Sequence, residues 1–385
     1  MLEAQPNDPW SRGTVMTTTD TSQVDEHTLE QQTGAFVERV FGSLNGALDL
    51  YVIDIGVRLG LYEALSAGPA TSYELAERTG CAERYVREWL EQQTVSGVIE
   101  VADATADAAD RKYALPLAHQ EPLCDHDSPA FVGALAGCAT ELGPAVTWLA
   151  KAFRDGEGVP LERYGESFVR LQGAMTRPMY THALTEVWLP ALADIDARLR
   201  ADPPARIADL ACGVGLAAVA MARHYPAVTA DGFDNDETSI AIARHNAAEA
   251  GVADRVRFQV RNLSDNGTDD GVYDVVTILE AVHDMARPVD ALRAAKGMLA
   301  DGGRLIVADE HAGDSFAEPG PIDGFLYAVS ILACLPQSMA EQPSAAIGAV
   351  IRPSTMSALA AEAGFSATTN LPIEDDFWRF YELVR

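Results

Sequence analysis

The side chains able to do acid–base chemistry gather just past the ends of two apolar runs. Residues 273–279 read as a strand and lead into Glu280-Ala281-Val282-His283-Asp284-Met285; residues 304–308 read as another and lead into Asp309-Glu310-His311. In a parallel sheet, groups beyond the carboxyl ends of strands face the ligand crevice. An imidazole ordinarily titrates near neutral pH, so His283 is the candidate general base, with Asp284 and Glu310 as candidates to orient it or bind substrate. The set His283, Asp284, Glu310 and His311 could also hold iron or zinc. No tight ligand spacing accompanies it, and adjacent residues rarely point to one centre, so no metal is assigned.

A second constellation lies upstream, in RIADLACGVGLAAVAMARHYPAVTADGFDND, residues 206–236. It reads as strand, small-residue turn, helix, strand and acid, the opening of a βαβ unit that holds a nucleotide. Gly213 and Gly215 lack Cβ, which permits unusual φ values and close ligand approach. The helix that follows aims its unpaired N–H groups and positive dipole end at that ligand. Asp234, about twenty residues on, can accept both ribose hydroxyls. Gly213, Gly215 and Ala218 also fit a relaxed dinucleotide fingerprint, so NAD is a competing ligand. Asp209, inside the motif, would repel a pyrophosphate and favour a cationic sulfonium or ammonium ligand.

These groups need a frame. Strands at 207–210, 228–233, 256–260, 273–279 and 304–308 alternate with helices at 216–224, 237–250 and 288–299, with a turn at Asp301-Gly302-Gly303. That order predicts an α/β fold, a Rossmann-like doubly wound sheet. Two late strands, 367–371 and 378–384, are too close for a helical crossover and should close it as an antiparallel C-terminal hairpin. An insertion at 311–350 is expected as a lid, with an apolar helix at 325–335 over the site. Its aromatic and aliphatic side chains imply a small, largely apolar acceptor.

Ahead of that domain, residues 46–67 are apolar at helical spacing and read as a core helix, one that can meet a second subunit. Residues 71–78 and 82–94 read as two short helices and 97–101 with 112–115 as a hairpin, a winged-helix outline. Between Thr71 and Val98 five glutamates (74, 77, 83, 88, 91) outnumber three arginines (78, 84, 87), so a basic recognition face is missing and a dimerisation or substrate-capping module is expected. Residues 126–200 should be linking helices, with Tyr180 and His182 as pocket candidates, and residues 1–28 a disordered tail.

The 385-residue chain carries 28 Lys and Arg against 57 Asp and Glu, a net charge of −29. That charge argues against nucleic-acid and anionic-membrane partners. No apolar run approaches the roughly eighteen residues of a membrane span. Five scattered cysteines without CxxC pairing, and no secretory signal ahead of them, imply reduced thiols and a cytoplasmic protein.

The pattern Asp209-x-Ala211-x-Gly213-x-Gly215 resembles motif I of class I S-adenosylmethionine-dependent methyltransferases, with Ala211 in place of the usual glycine. With IGVRLGLYEAL, RYVREWL, RPMYTHAL and EAVHDMARP, the chain is similar to winged-helix small-molecule methyltransferases of actinobacterial type. The resemblance implies S-adenosyl-L-methionine as cofactor, the motif I loop on its methionine part and Asp234 on its ribose. Asn262, where many relatives have aspartate, and Leu263 would border the adenine. Asn235 and Glu280 complete the expected cofactor set. Val282-His283-Asp284-Met285 resembles the His-Asp-Trp segment of O-methyltransferases, in which the histidine is the base; Met285 replaces the tryptophan. The expectation is therefore a cytoplasmic, homodimeric enzyme that methylates a hydroxyl of a small molecule. A C- or N-methyltransferase, with or without a metal on the His283 set, is the nearest alternative; an NAD-dependent oxidoreductase and a winged-helix ligand sensor are more distant ones.

Overall fold

The computed structural model describes residues 25–265 and 271–385. The expected tail at 1–28 lies outside them, save for its last four residues; Asp25 already caps a helix through its bond to the Thr28 N–H. Two compact units divide the chain between Gly143 and Pro144.

In the first unit, helix α1 (Glu26–Arg58) is followed by α2 (Leu61–Ser66), α3 (Ser72–Thr79) and α4 (Glu83–Val95). Thr71 and Glu74 form a reciprocal capping box at the start of α3, which Gly80 ends in the left-handed region. A short antiparallel pair, β1 (Glu100–Val101) and β2 (Tyr113–Ala114), makes the wing, and α5 (Leu117–Cys124) and α6 (Gly133–Leu142) complete the unit. Leu61, Tyr62, Leu65, Leu75, Val86, Trp89 and Leu90 form its core.

The expected core helix at 46–67 is corrected in two ways. Gly60, at φ 65, breaks it into α1 and α2. Much of its α1 part is not core: Leu48, Leu50, Tyr51 and Ile55 are exposed, as are Phe36, Val37, Val40, Phe41 and Leu44 ahead of that span, Phe41 by 62%. Only the carboxyl end of α1 meets the winged-helix core, through Val52, Ile53 and Val57. By length and composition α1 is also apolar enough to cross a membrane, with a best window of mean hydropathy 1.3, contrary to the reading that no segment approaches that length.

The second unit begins with α7 (Ala145–Asp155) and α8 (Glu166–Pro178). A π-helical segment, Met179–Trp188, runs on into α9 (Leu189–Ala191) and α10 (Ala193–Leu199). The sheet follows: β3 (Arg206–Leu210), α11 (Leu216–His224), β4 (Thr229–Asp234), α12 (Glu237–Glu249), β5 (Val256–Val260), β6 (Tyr273–Leu279), α13 (Pro288–Met298) and β7 (Leu299–Glu310). After the insertion, with α14 (Asp323–Val329) and α15 (Leu335–Ala340), come α16 (Pro353–Glu362), β8 (Ala367–Asn370) and β9 (Trp378–Val384). The strand order is β5-β4-β3-β6-β7-β9-β8; the first five strands are parallel, and β9 runs antiparallel to both β7 and β8. This is the expected Rossmann-like α/β sheet with its antiparallel closing hairpin. The glycine turn expected at 301–303 lies inside β7, where register jumps from Tyr273–Leu299 to Val275–Arg304 as a bulge.

Alternate residues of each strand enter different cores. Ile207, Val275 and Ile306 pack with α11 and α12 on one face; Leu210, Ile278, Leu305 and Val307 pack with α13 and α16 on the other. A sheet apolar on both faces exposes its polar chemistry only at strand ends. The order of strands reverses between β3 and β6, and there the crevice opens.

Candidate active site

The turn after β3 forms the floor of a cavity of about 450 Å³. Ala211, Gly213 and Gly215 all take positive φ, at 54°, 51° and 77°. The two glycines have different jobs. A Cβ on Gly213 would meet nothing within 4 Å, and the residue borders the cavity. A Cβ on Gly215 would fall 2.4 Å from the Phe258 ring and 2.8 Å from Ala243, so Gly215 serves helix–sheet packing and does not line the cavity, contrary to expectation. Ala211 adopts the left-handed conformation that its departure from glycine makes strained.

Asp209 also lies behind the turn. In register with Thr277, it accepts that residue's hydroxyl at 2.8 Å and is bonded by the Ala218 N–H of α11. Burial pushes its carboxyl up to about 7 against those bonds. It therefore braces the turn, and the charge expected of it toward a ligand falls to other acids. Asp234 does line the cavity; its two oxygens accept from the Gly213 N–H at 2.9 Å and the Asp236 N–H at 2.9 Å. A carboxylate has about four acceptor positions, so two stay open for hydroxyls. Asn235, Asn262, Leu263, Ala211 and Glu280 border the same cavity. The insertion supplies a further wall through Gln337, Ser338, Ala340 and Glu341. The Glu341 carboxylate takes a bond of 3.3 Å from Arg287 and one of 3.5 Å from the Asn262 amide. The wall thus comes from the end of the insertion, while Phe325, Tyr327 and Ile331 of the expected lid helix are partly exposed.

The acid–base cluster adjoins the cavity. His283 follows β6 in a short 3-10 turn (Val282–Asp284) and is buried. Its Nδ1 lies 2.6 Å from Asp309 Oδ1 and 2.8 Å from Glu310 Oε2; its Nε2 lies 3.2 Å from Asp284 Oδ1. Burial works against a charged ring, but Asp284, Glu310 and Asp309 overcome it and hold the imidazole pKa well above its usual value. Of the two acids below the ring, burial and the Asp309 charge drive Glu310 well up, while the imidazole holds Asp309 low against burial. Asp309, which the sequence left unassigned, is thus the shortest contact of the histidine, and Glu310 stands beside it. Only Asp284 of the three expected catalytic residues borders the cavity; His283 and Glu310 sit one layer behind. Cys334, buried in the π-helical segment Ser330–Cys334, faces His283 and Asp284. His311 turns away, its Nδ1 bonded to the Asp375 carbonyl at 2.9 Å, so the four-residue set considered for a metal does not assemble.

Tyr180 lines the cavity and His182 does not: the latter is partly exposed, 3.9 Å from Glu186. The π-helical spacing of this segment changes which residues share a face. In the winged helix, Arg84 pairs with Glu88 and Arg87 with Glu83.

With this geometry in place, the relatives are informative. Residues 202–354 match a family described as "Methyltransferase domain", and residues 46–124 match an "Rv2258c-like winged HTH domain". The ubiquinone biosynthesis O-methyltransferase of Xanthomonas campestris is 34% identical over 128 residues, 33% of this chain and 50% of that protein. That of Marinobacter nauticus is 34% identical over 104 residues, covering 27% and 43%. The chain therefore spans about half the length of the curated relatives it matches. Among solved structures, the mitomycin 7-O-methyltransferase MmcR superposes with a TM-score of 0.65 at 23% identity, covering 92% of this chain and 99% of that one. Human N-acetylserotonin methyltransferase superposes at 0.64 and 16% identity, covering 94% and 99%. The chain carries a class I methyltransferase domain with an N-terminal winged-helix-like region.

Proposed function

We propose that the protein is an S-adenosylmethionine-dependent O-methyltransferase acting on a hydroxyl of a small, largely apolar aromatic metabolite, of the actinobacterial small-molecule type. The observation that carries the reading is the His283–Asp309 pair at neighbouring strand ends beside an acid-lined nucleotide cavity. S-adenosylmethionine, when bound, supplies an activated methyl group. The residues fit it: Gly213 leaves open space at the turn, Asp234 keeps free acceptor positions for the ribose, and Asn262 with Leu263 offers an amide and an apolar surface for the adenine.

His283 is the base that removes the acceptor's hydroxyl proton, and Asp309 fixes its ring through Nδ1. The acids around the ring favour its protonated form, with Nε2 3.2 Å from Asp284 Oδ1. Catalysis requires that proton to leave before the acceptor's own can be taken. Asp284, on the cavity wall, then receives or positions the acceptor. The walls keep water from the reacting groups. The exposed face of α1 supports a homodimer, the paired arginines of α4 support the absence of a nucleic-acid partner, and cysteines that form no disulfide among the described residues fit a cytoplasmic setting.

The test is transfer of a labelled methyl group from S-adenosylmethionine to a panel of phenols, anilines and α-keto acids. Label in methyl ethers supports the reading; label confined to nitrogen or carbon favours the N- or C-methyltransferase alternative.

A further inference from the structure

Glu280 is the first residue beyond β6, and its backbone is strained: φ is 58° at a residue that is not glycine. The strain is pinned by its N–H, which donates to the Ala308 carbonyl at 2.8 Å. The half-buried side chain borders the cavity. The other recessed acids of the wall have partners: Asp234 and Asp236 take backbone N–H groups, Asp284 faces His283 and Glu341 takes Arg287. Among the described residues the Glu280 carboxyl makes no hydrogen bond or ion pair. Facing it are Tyr180 from the π-helical segment, His283 and Asp284 from the turn, and Asp309 from β7. These are the groups around the general base, so Glu280 belongs to the part of the cavity next to it.

We propose that Glu280 makes the site distinguish the methyl donor from the spent cofactor, its carboxylate being the counter-charge of the donor's sulfonium and exchanging that charge for a proton in each cycle. This rests on the S-adenosylmethionine reading above. The donor and its thioether product differ by one methyl group and one positive charge, both at sulfur. Burial, opposed by His283 and helped by Asp284 and Asp309, pushes the Glu280 carboxyl up to about 8, so with no cation beside it the group holds its proton near neutral pH. Donor binding places a fixed cation beside it and sends that proton to solvent. When the carbon–sulfur bond breaks and the methyl bonds to the acceptor oxygen, the sulfur keeps the electron pair and becomes neutral. The acceptor's own proton goes to His283. Glu280, left without a counter-charge, takes a proton back from solvent, and the product loses its hold.

The experiment is calorimetric titration with S-adenosylmethionine and S-adenosylhomocysteine, in two buffers of different ionisation enthalpy, from pH 6 to 9. Donor binding should release close to one proton at pH 7 and tighten about tenfold per pH unit below pH 8, while product binding stays nearly flat. Glu280→Gln should abolish that release and bring the two affinities within about twofold. The wild-type pH series stands alone should the variant fail to fold. A donor preference and pH slope unchanged in Glu280→Gln, or equal proton release with the product, overturns the proposal while leaving the cofactor reading intact. No binding of either ligand overturns both.

Discussion

The imidazole Nδ1 of His283 and the carboxylate of Asp309 meet at 2.6 Å from the ends of two neighbouring parallel strands, both side chains buried. Leu279 pairs with Ala308, so the turn that follows β6 and Asp309, the next residue of β7, are held at one level. His283→Ala should leave cofactor affinity unchanged and lower turnover about 10²–10⁴-fold. Asp309→Asn should lower turnover with little change in KM, because it orients the base without touching substrate. Steady-state kinetics on the two variants checks both.

The charge around His283 sets a pH dependence. Three carboxyl groups raise its pKa, and only the neutral ring accepts a proton, so turnover should climb with pH through neutrality and level off above the raised pKa. Asp284→Asn removes one of the raising charges and should move the rising limb to lower pH. A pH–kcat profile of both proteins reads the shift.

Two glycines in one turn should fail differently. Gly215→Ala drives a methyl into Phe258 and Ala243 at φ 77° and should cost about 2–4 kcal/mol of stability. Gly213→Ala has room in the fold but puts its methyl in the cavity. It should weaken S-adenosylmethionine binding about tenfold or more at the cost of about 1–2 kcal/mol from its positive φ. Denaturant melts and binding titrations separate the two.

Asp209 gives a stability signature. Its folded pKa, about 7, lies above the unfolded value near 3.9, so the folded state binds more protons between them and stability falls as pH rises across that window. Asp209→Asn removes the cost and should gain about 1–3 kcal/mol at pH 8 over its effect at pH 4. Chemical denaturation at the two pH values provides the difference.

The sequence carried the frame of the site because strand, turn, helix and acid are local patterns. Asp234, Gly213 and the cluster at 280–284 could be placed from residue order alone. What escaped it depends on direction and packing. Strand alternation turns Asp209 toward α11 and away from the cavity, and Phe258, forty-three residues after Gly215 in the chain, takes the space that glycine leaves. Tyr180 and His182, two residues apart, lie on different faces of their helix, and only the packing of that helix on the sheet decides which one enters the cavity. Asp309 and Glu310 are adjacent acids, and only the meeting of β6 with β7 ranks them. The apolar stripe of α1 was visible, yet whether it is covered depends on tertiary packing, and only its carboxyl end meets a core.

The most direct test of the account is calorimetric titration of the purified protein with S-adenosylmethionine, S-adenosylhomocysteine and NAD in parallel. The account predicts micromolar binding of the two adenosyl amino acids, lost in Asp234→Ala, and no binding of NAD. Binding of NAD with no response to either S-adenosyl ligand would contradict it.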